Sequence, residues 1–309
     1  MTQPILHHYE FSTFSEKIRL ALGFKGLAYG SVDVPGLPPR PFLTPLTGGY
    51  RRVPVLQVGA DIYCDTNIIL PALERLYPSP TFYPAGCEGL ARGLAFGWDR
   101  AMWIPTIGVL THFIGEHIPP EFIKDRKDDY LYVDISKGAM APLLPQYRQR
   151  VMAQYGWLKA ALADGRSFIF GAAPSALDLA VYQTIYLLRK NCPPEVNAFV
   201  AIDGPLPAWY ERISAVGHGQ PTSMTAEQAF EVARNATPAP VTHLKPNGDP
   251  LGLPAGAKVT VTPDDTARVS VAGTLVAASD SEIIIHRRDA QAGDLHIHFP
   301  RLGFDVLPA

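Results

Sequence analysis

The chain has 309 residues, 27 Lys and Arg against 29 Asp and Glu, and a formal net charge of −2 at pH 7. The length suits two or three domains with a substantial core, and the charge balance excludes the field of a nucleic-acid binder. No stretch reaches the apolar length of a membrane span, so neither nucleic acid nor membrane is an expected partner.

The apolar run Ile5-Leu6 reads as a first strand, beginning so early that no signal peptide is expected and a cytoplasmic location is. Ser12-Thr13-Phe14-Ser15-Glu16-Lys17-Ile18-Arg19 follows, a loop turning into a helix over residues 15–22. A helix N-terminus carries unbonded N–H groups and partial positive charge. A thiol placed there loses its proton more readily, and a hydroxyl there can donate to the thiolate. Ser12 stands at that point, although Ser12 or Ser15 also fits a plain N-cap. The Ser12-x-x-Ser15 spacing is that of Cys-x-x-Cys with both sulfurs replaced by oxygen, which argues against mixed-disulfide exchange at this site.

Pro38-Pro39-Arg40-Pro41 reads as a connector rather than a polyproline ligand. In Arg52-Val53-Pro54-Val55-Leu56 a proline interrupts an apolar strand, a conflict that a cis bond at the strand start resolves. Asp61-Ile62-Tyr63-Cys64-Asp65-Thr66 reads as a turn, a strand and an acidic–hydroxyl pair capping a helix through Ile68, Ile69, Leu73 and Leu76. Cys64, Cys87 and Cys192 have neither metal nor disulfide spacing. Cys64 reads as a small buried apolar residue, with a reactive thiol as the alternative.

In this order and spacing the three segments resemble the thioredoxin-like glutathione-binding domain of the glutathione transferase superfamily, over residues 1–82. The resemblance implies that Ser12 holds the glutathione sulfur. Tyr9, one position out of register with the tyrosine-type members, and Ser15 are its rivals. It implies a cis Val53–Pro54 bond, with Val53 offering its backbone to the cysteinyl part of glutathione like a short added strand. Thr66 then donates to the γ-glutamyl carboxylate at a helix start, and Asp65 meets the ligand's ammonium group. Arg52 reaches the glycyl carboxylate, a task open also to Arg51 and Lys17.

After Pro78-Ser79-Pro80 the pattern turns helical, and residues 87–220 resemble the all-helical transferase C-terminal domain. A long helix runs from Cys87 to His117, kinked or ended at Pro105. Gly89, Gly93 and Gly97 share one of its faces and permit close approach of another helix. The resemblance implies that this helix lines a pocket for a hydrophobic electrophile, with Phe14, Trp98 and Met102, and helps form a homodimer interface. A second helix is expected over residues 144–163 and a later one from Pro207 to Ile213. Ser175 and Asp178 form a capping box before an apolar helix, a structural pair rather than a catalytic one.

Beyond an ordinary transferase, residues 221–256 read as a short helix capped at Thr225 and Gln228, then a Pro/Gly-rich linker through Pro246, Gly248, Pro250, Gly252, Pro254 and Gly256. Few contacts are expected to cross that linker. Strand-like runs over 258–262, 268–278, 282–287 and 295–299 then suggest a small all-β barrel or sandwich over residues 257–309. His296 and His298 share a strand face, and His286 is a candidate for the neighbouring strand. No carboxylate or cysteine is placed convincingly to complete a ligand set, so a polar sheet face is expected rather than a metal site. Arg287, Arg288 and Arg301 read as surface ion-pair partners rather than an anion site.

The expected protein is therefore a homodimeric transferase-like enzyme that activates glutathione as thiolate for attack on an electrophilic small molecule. The alternatives are a non-catalytic glutathione-binding or interaction protein and a glutathione-dependent isomerase or reductase.

Overall fold

The computed structural model describes residues 2–244, 249 and 251–309. Pro246, Gly248 and Pro250 of the expected linker lie outside the described residues.

Short strands and helices make up the start of the chain, in β1 (Ile5–His8), α1 (Thr13–Phe24), β2 (Ala28–Asp33), α2 (Leu43–Thr47), β3 (Val55–Val58), β4 (Asp61–Cys64) and α3 (Thr66–Leu76). The helical stretch holds α4 (Glu88–Ile114), α5 (Pro120–Asp125), α6 (Lys137–Met140), α7 (Leu144–Ala161), α8 (Ala176–Asn191), α9 (Val196–Phe199) and α10 (Leu206–Ser214). The chain then returns to strands, with β5 (Gln220–Ser223), α11 (Ala226–Arg234), β6 (Lys258–Pro263), β7 (Val271–Ala278), β8 (Glu282–Asp289), β9 (Gly293–Pro300) and β10 (Phe304–Pro308).

Two units emerge. The first joins Met1–Ile18, Gly26–Leu76 and Gln220–Ala309. Its strands form one sheet in the order β10-β6-β7-β8-β9-β4-β3-β1-β2-β5. Residues 257–309 thus continue the thioredoxin-like sheet rather than closing on themselves, because β9 pairs in parallel with the outer edge of β4, Ile62 opposite Ile297. Side chains alternate across these two strands. Ile62, Cys64, Ile297 and Phe299 enter one buried cluster with Val55, Val259, Val261, Leu275, Ile283 and Ile285. The opposite positions are Asp61, Tyr63, His296 and His298.

This shared core revises the expected boundary at the linker. Strands from both ends of the chain bury one another's apolar face. Further ties run the same way. Gln57 donates to the Ala229 carbonyl of α11 at 2.8 Å, and Asp61 accepts from the Ala239 amide at 2.9 Å. At the other edge β5 adds to β2 in parallel.

The second unit comprises Arg19–Lys25 and Tyr77–Gly219. Its centre is α8, held at its start by the Ser175–Asp178 capping box. Asp178 also accepts from Trp209 Nε1 at 2.9 Å and from the Ile169 amide at 2.9 Å. Burial pushes its carboxyl upward while those donors oppose the shift, so the pair is architectural. α4 packs on α7 and α8 and runs through Pro105 to Ile114 as one helix. A Cβ on Gly108 would lie 2.2 Å from Tyr147 Cδ2, so only glycine permits this approach of α7. Gly89, Gly93 and Gly97 have no such neighbour within 4 Å among the described residues.

Candidate functional site

Sheet register gathers three of the segments at one end of the first unit. His7 pairs with Val55 across β1 and β3, and Val55 pairs with Cys64 across β3 and β4. The chain leaving β1 toward Ser12, the Val53–Pro54 peptide entering β3, and the Asp65–Thr66 pair leaving β4 therefore lie side by side. That peptide is cis.

Ser12 immediately precedes α1, which starts two residues earlier than expected. Its Oγ accepts the Ser15 amide at 3.1 Å, and its carbonyl accepts the Glu16 amide at 3.0 Å. Ser12 is thus the N-cap, and Ser15 lies inside the first turn. Because Ser12 Oγ is an acceptor toward the helix, its own proton remains to be donated outward. Three aromatic residues lie near it in the sequence. Tyr9 and Phe11 lie with centroids 4.4 Å apart, Phe11 is half exposed at 51%, and Phe14 is partly buried.

Asp65 precedes α3 with φ at 96°, a left-handed conformation that a non-glycine residue adopts at a cost of order 1–3 kcal/mol. Its Oδ1 accepts from the Asn67 backbone amide at 2.9 Å and from Asn67 Nδ2 at 3.0 Å. Thr66 is the first helical residue, so helix geometry leaves its amide without an intrahelical partner.

Lys17 departs from expectation. Its side chain is fully buried at 0% exposure and donates to Thr66 Oγ1 at 3.1 Å, which puts it at the start of α3. Arg52 is also committed. Its guanidinium pairs with Asp265 at 2.5 Å, donates to the Thr266 carbonyl, and lies 3.7 Å from Asp65. Sequence reasoning missed this tie, since Asp265 is 213 residues away.

Cys64 is buried beside Asp65, and burial raises its thiol well above the usual range. The apolar reading of Cys64 fits this environment. Burial also lowers His7 to about 4, against a hydrogen bond to the Gln57 side-chain oxygen that opposes the shift. Arg40 anchors its connector by donating to the carbonyls of Pro35 and Arg51. Arg301 pairs with Asp249 at 2.8 Å.

Phe14 belongs to the first unit and Trp98 and Met102 to the second. Met102 is fully buried at 0% exposure. Trp98 stacks on Tyr155 at 6.4 Å and 18°, with Nε1 3.4 Å from Thr184 Oγ1. Both side chains take part in the packing of α4.

Comparison with known proteins agrees with this architecture. Residues 6–81 match the family described as "Glutathione S-transferase, N-terminal domain", and residues 141–212 match "Glutathione S-transferase, C-terminal domain". A zeta-class glutathione S-transferase of Euphorbia esula is 32% identical over 145 residues, covering 44% of this chain and 60% of that protein. The crystal structure of a GST-like protein from Pseudomonas syringae is 36% identical and covers 100% of both chains, with a TM-score of 0.82. A glutathione S-transferase of Ceriporiopsis subvermispora, solved in complex with glutathione, shares the fold at 16% identity over 70% of this chain and 96% of its own, with a TM-score of 0.54.

Proposed function

This chain belongs to the glutathione S-transferase superfamily, and from that premise we propose that it binds glutathione and activates its sulfur as a thiolate for attack on an apolar electrophile. The observation that carries the reading is the alignment of Ser12, Val53 and Thr66 at one end of three neighbouring strands.

In this reading glutathione lies across that end. The Val53 backbone pairs with the cysteinyl residue as an added strand would. The γ-glutamyl carboxylate meets the Thr66 amide and hydroxyl at the N-terminus of α3, and Asp65 takes the ammonium group. Lys17 lies behind Thr66, so it acts at the γ-glutamyl end instead of the glycyl end. Arg52, which lies 3.7 Å from Asp65 and also bonds Asp265 and Thr266, sets the position of Asp65 in this reading rather than reaching the glycyl carboxylate.

The sulfur sits at the start of α1. The Ser12 hydroxyl donates to it, and the helix terminus favours its negative charge. The thiol proton leaves to solvent, the thiolate forms a carbon–sulfur bond, and the leaving group departs with its electron pair. Tyr9, Phe11 and Phe14 supply apolar surface beside Ser12 for the electrophile.

A homodimer through α4 is part of the proposal. Leu90 and Leu94 are 66% and 53% exposed there, next to glycines that nothing among the described residues covers.

Calorimetry with glutathione, followed by conjugation of an activated aryl halide, tests the reading. Micromolar to millimolar binding with turnover supports it. Binding without turnover would favour the non-catalytic alternative, and no binding would remove the glutathione reading altogether.

A further inference from the structure

At the opposite end of β4 from Asp65, the fold assembles a second cluster. Asp61 opens β4, and its register partner on β9 is His296. His298 stands two residues further along the same face and stacks on Tyr63, with ring centroids 4.2 Å apart and planes 25° apart. One ligand atom from each of Asp61, His296 and His298 lies within 4.8 Å of the other two. The carboxylate of this group, Asp61, stands 237 residues before His298.

We propose that Asp61, His296 and His298 bind a divalent transition-metal ion, Zn²⁺ in the first instance, with a fourth coordination position left to water or an external ligand. Tetrahedral bonds of about 2.0–2.1 Å place neighbouring ligand atoms about 3.3 Å apart. Asp61 Oδ1 lies 3.0 Å from His298 Nε2 and 3.6 Å from His296 Nδ1, values that bracket this edge.

The surroundings match a metal-binding histidine. The Nδ1 of His298 meets Glu282 Oε1 at 2.7 Å, the carboxylate–histidine arrangement that fixes the tautomer and turns Nε2 toward a cation. Glu282 is itself held by His243 at 2.8 Å and faces Arg75 at 3.6 Å. Asp61 Oδ2 accepts from the Ala239 amide, leaving Oδ1 on the histidine side.

His296 distinguishes the proposal from a plain polar network. Its Nδ1 is buried and has no hydrogen-bond partner among the described residues. At 3.6 Å from Asp61 Oδ1 it is too distant for a hydrogen bond. A cation between the two atoms gives that nitrogen a partner. The site lies on the seam between β4 and β9, so an ion there ties the two halves of the sheet together. His286 stands outside this group of three, and its Nε2 meets Asp294 at 2.9 Å.

The test is Zn²⁺ calorimetry on the full-length chain after chelator treatment, with Co²⁺ absorption in the visible as a report on nitrogen–oxygen ligation. One ion per chain is expected, together with a rise in melting temperature. His296→Ala removes no hydrogen bond of Nδ1 within 3.5 Å among the described residues and should leave the fold intact, yet it should weaken Zn²⁺ by at least about 100-fold. Glu282→Gln should weaken it about 10–100-fold, whereas His286→Ala should not change it. Failure of the wild type to bind Zn²⁺ or Co²⁺ at micromolar concentration would overturn the proposal. So would undiminished binding by His296→Ala, or loss of binding in His286→Ala.

Discussion

Lys17 Nζ donates to Thr66 Oγ1 at 3.1 Å, joining the first turns of α1 to the start of α3 inside the first unit. A threonine hydroxyl that accepts from a lysine has its own proton to give elsewhere. In the proposed glutathione-binding role, the bond orients Thr66 as a donor toward the γ-glutamyl carboxylate. Thr66→Val removes both functions. Glutathione affinity should fall by roughly 1–3 kcal/mol, about 5- to 150-fold in Kd, whereas Thr66→Ser should hold within a few-fold. Calorimetry on the two variants checks this, and equal affinities for Val and Ser would discard the role of the hydroxyl.

Ser12→Ala separates capping from catalysis. Loss of the cap to the Ser15 amide should cost about 1 kcal/mol of stability. Loss of the thiolate donor should lower conjugation on the order of 100-fold. Ser12→Asn restores a cap without restoring the hydroxyl, so it should regain stability and stay slow. Full activity in Ser12→Ala together with a dead Tyr9→Phe would move the role to Tyr9.

Much of this was legible in the sequence because the signals are local. Ser12 before an apolar helix, Pro54 inside an apolar run, Ser175 with Asp178 and Thr225 with Gln228 each announce a strand start or a cap, and each falls where an element begins. The long-range relations were not legible. Nothing near Lys17 points to Thr66, and nothing near Arg52 points to Asp265. The Pro/Gly-rich stretch before residue 257 carries the composition of a linker, but composition does not reveal that the following strands bury their apolar face against β4. Similarly, the helical spacing that includes Met102 describes a buried face as well as a pocket wall.

The open face of α4 predicts a dimer sensitive to charge. Leu94→Arg places a cation among Gly93, Gly97 and Leu90, where the Leu94 side chain is 53% exposed in the single chain. Sedimentation should show the wild type as a dimer and Leu94→Arg as a folded monomer. A wild type that is monomeric at tens of micromolar would remove this interface.

The shared core makes truncation costly. Ending the chain at residue 237 uncovers the β4 edge and strips Ile283, Ile285, Ile297 and Phe299 from the cluster that holds Ile62 and Cys64. Each such residue contributes about 1.5–3 kcal/mol by burial, and an exposed apolar strand edge invites aggregation. The shortened protein should be insoluble or molten, as judged by near-UV circular dichroism and dye binding. A soluble, cooperatively unfolding product would show that the first seventy-odd residues hold their own core.

His7 gives the fold a dependence on acid. It is buried, its Nε2 meets Gln57 Oε1 at 2.8 Å, and Gln57 in turn donates to the Ala229 carbonyl. Burial holds its pKa at about 4, below the ordinary 6.5. The unfolded chain therefore takes up a proton near pH 6.5 that the folded chain refuses until about pH 4. The stability tied to neutral His7 is fully present above pH 6.5 and is lost as the pH falls through that window. The full loss is about 3 kcal/mol, from a difference of roughly two and a half pKa units. Urea unfolding of the wild type and of His7→Gln at pH 7.5 and pH 4.5 isolates the effect, because every other titrating group is common to both. The variant should lose less stability than the wild type across that interval by most of this amount. Identical pH slopes would mean that His7 is not held neutral by burial.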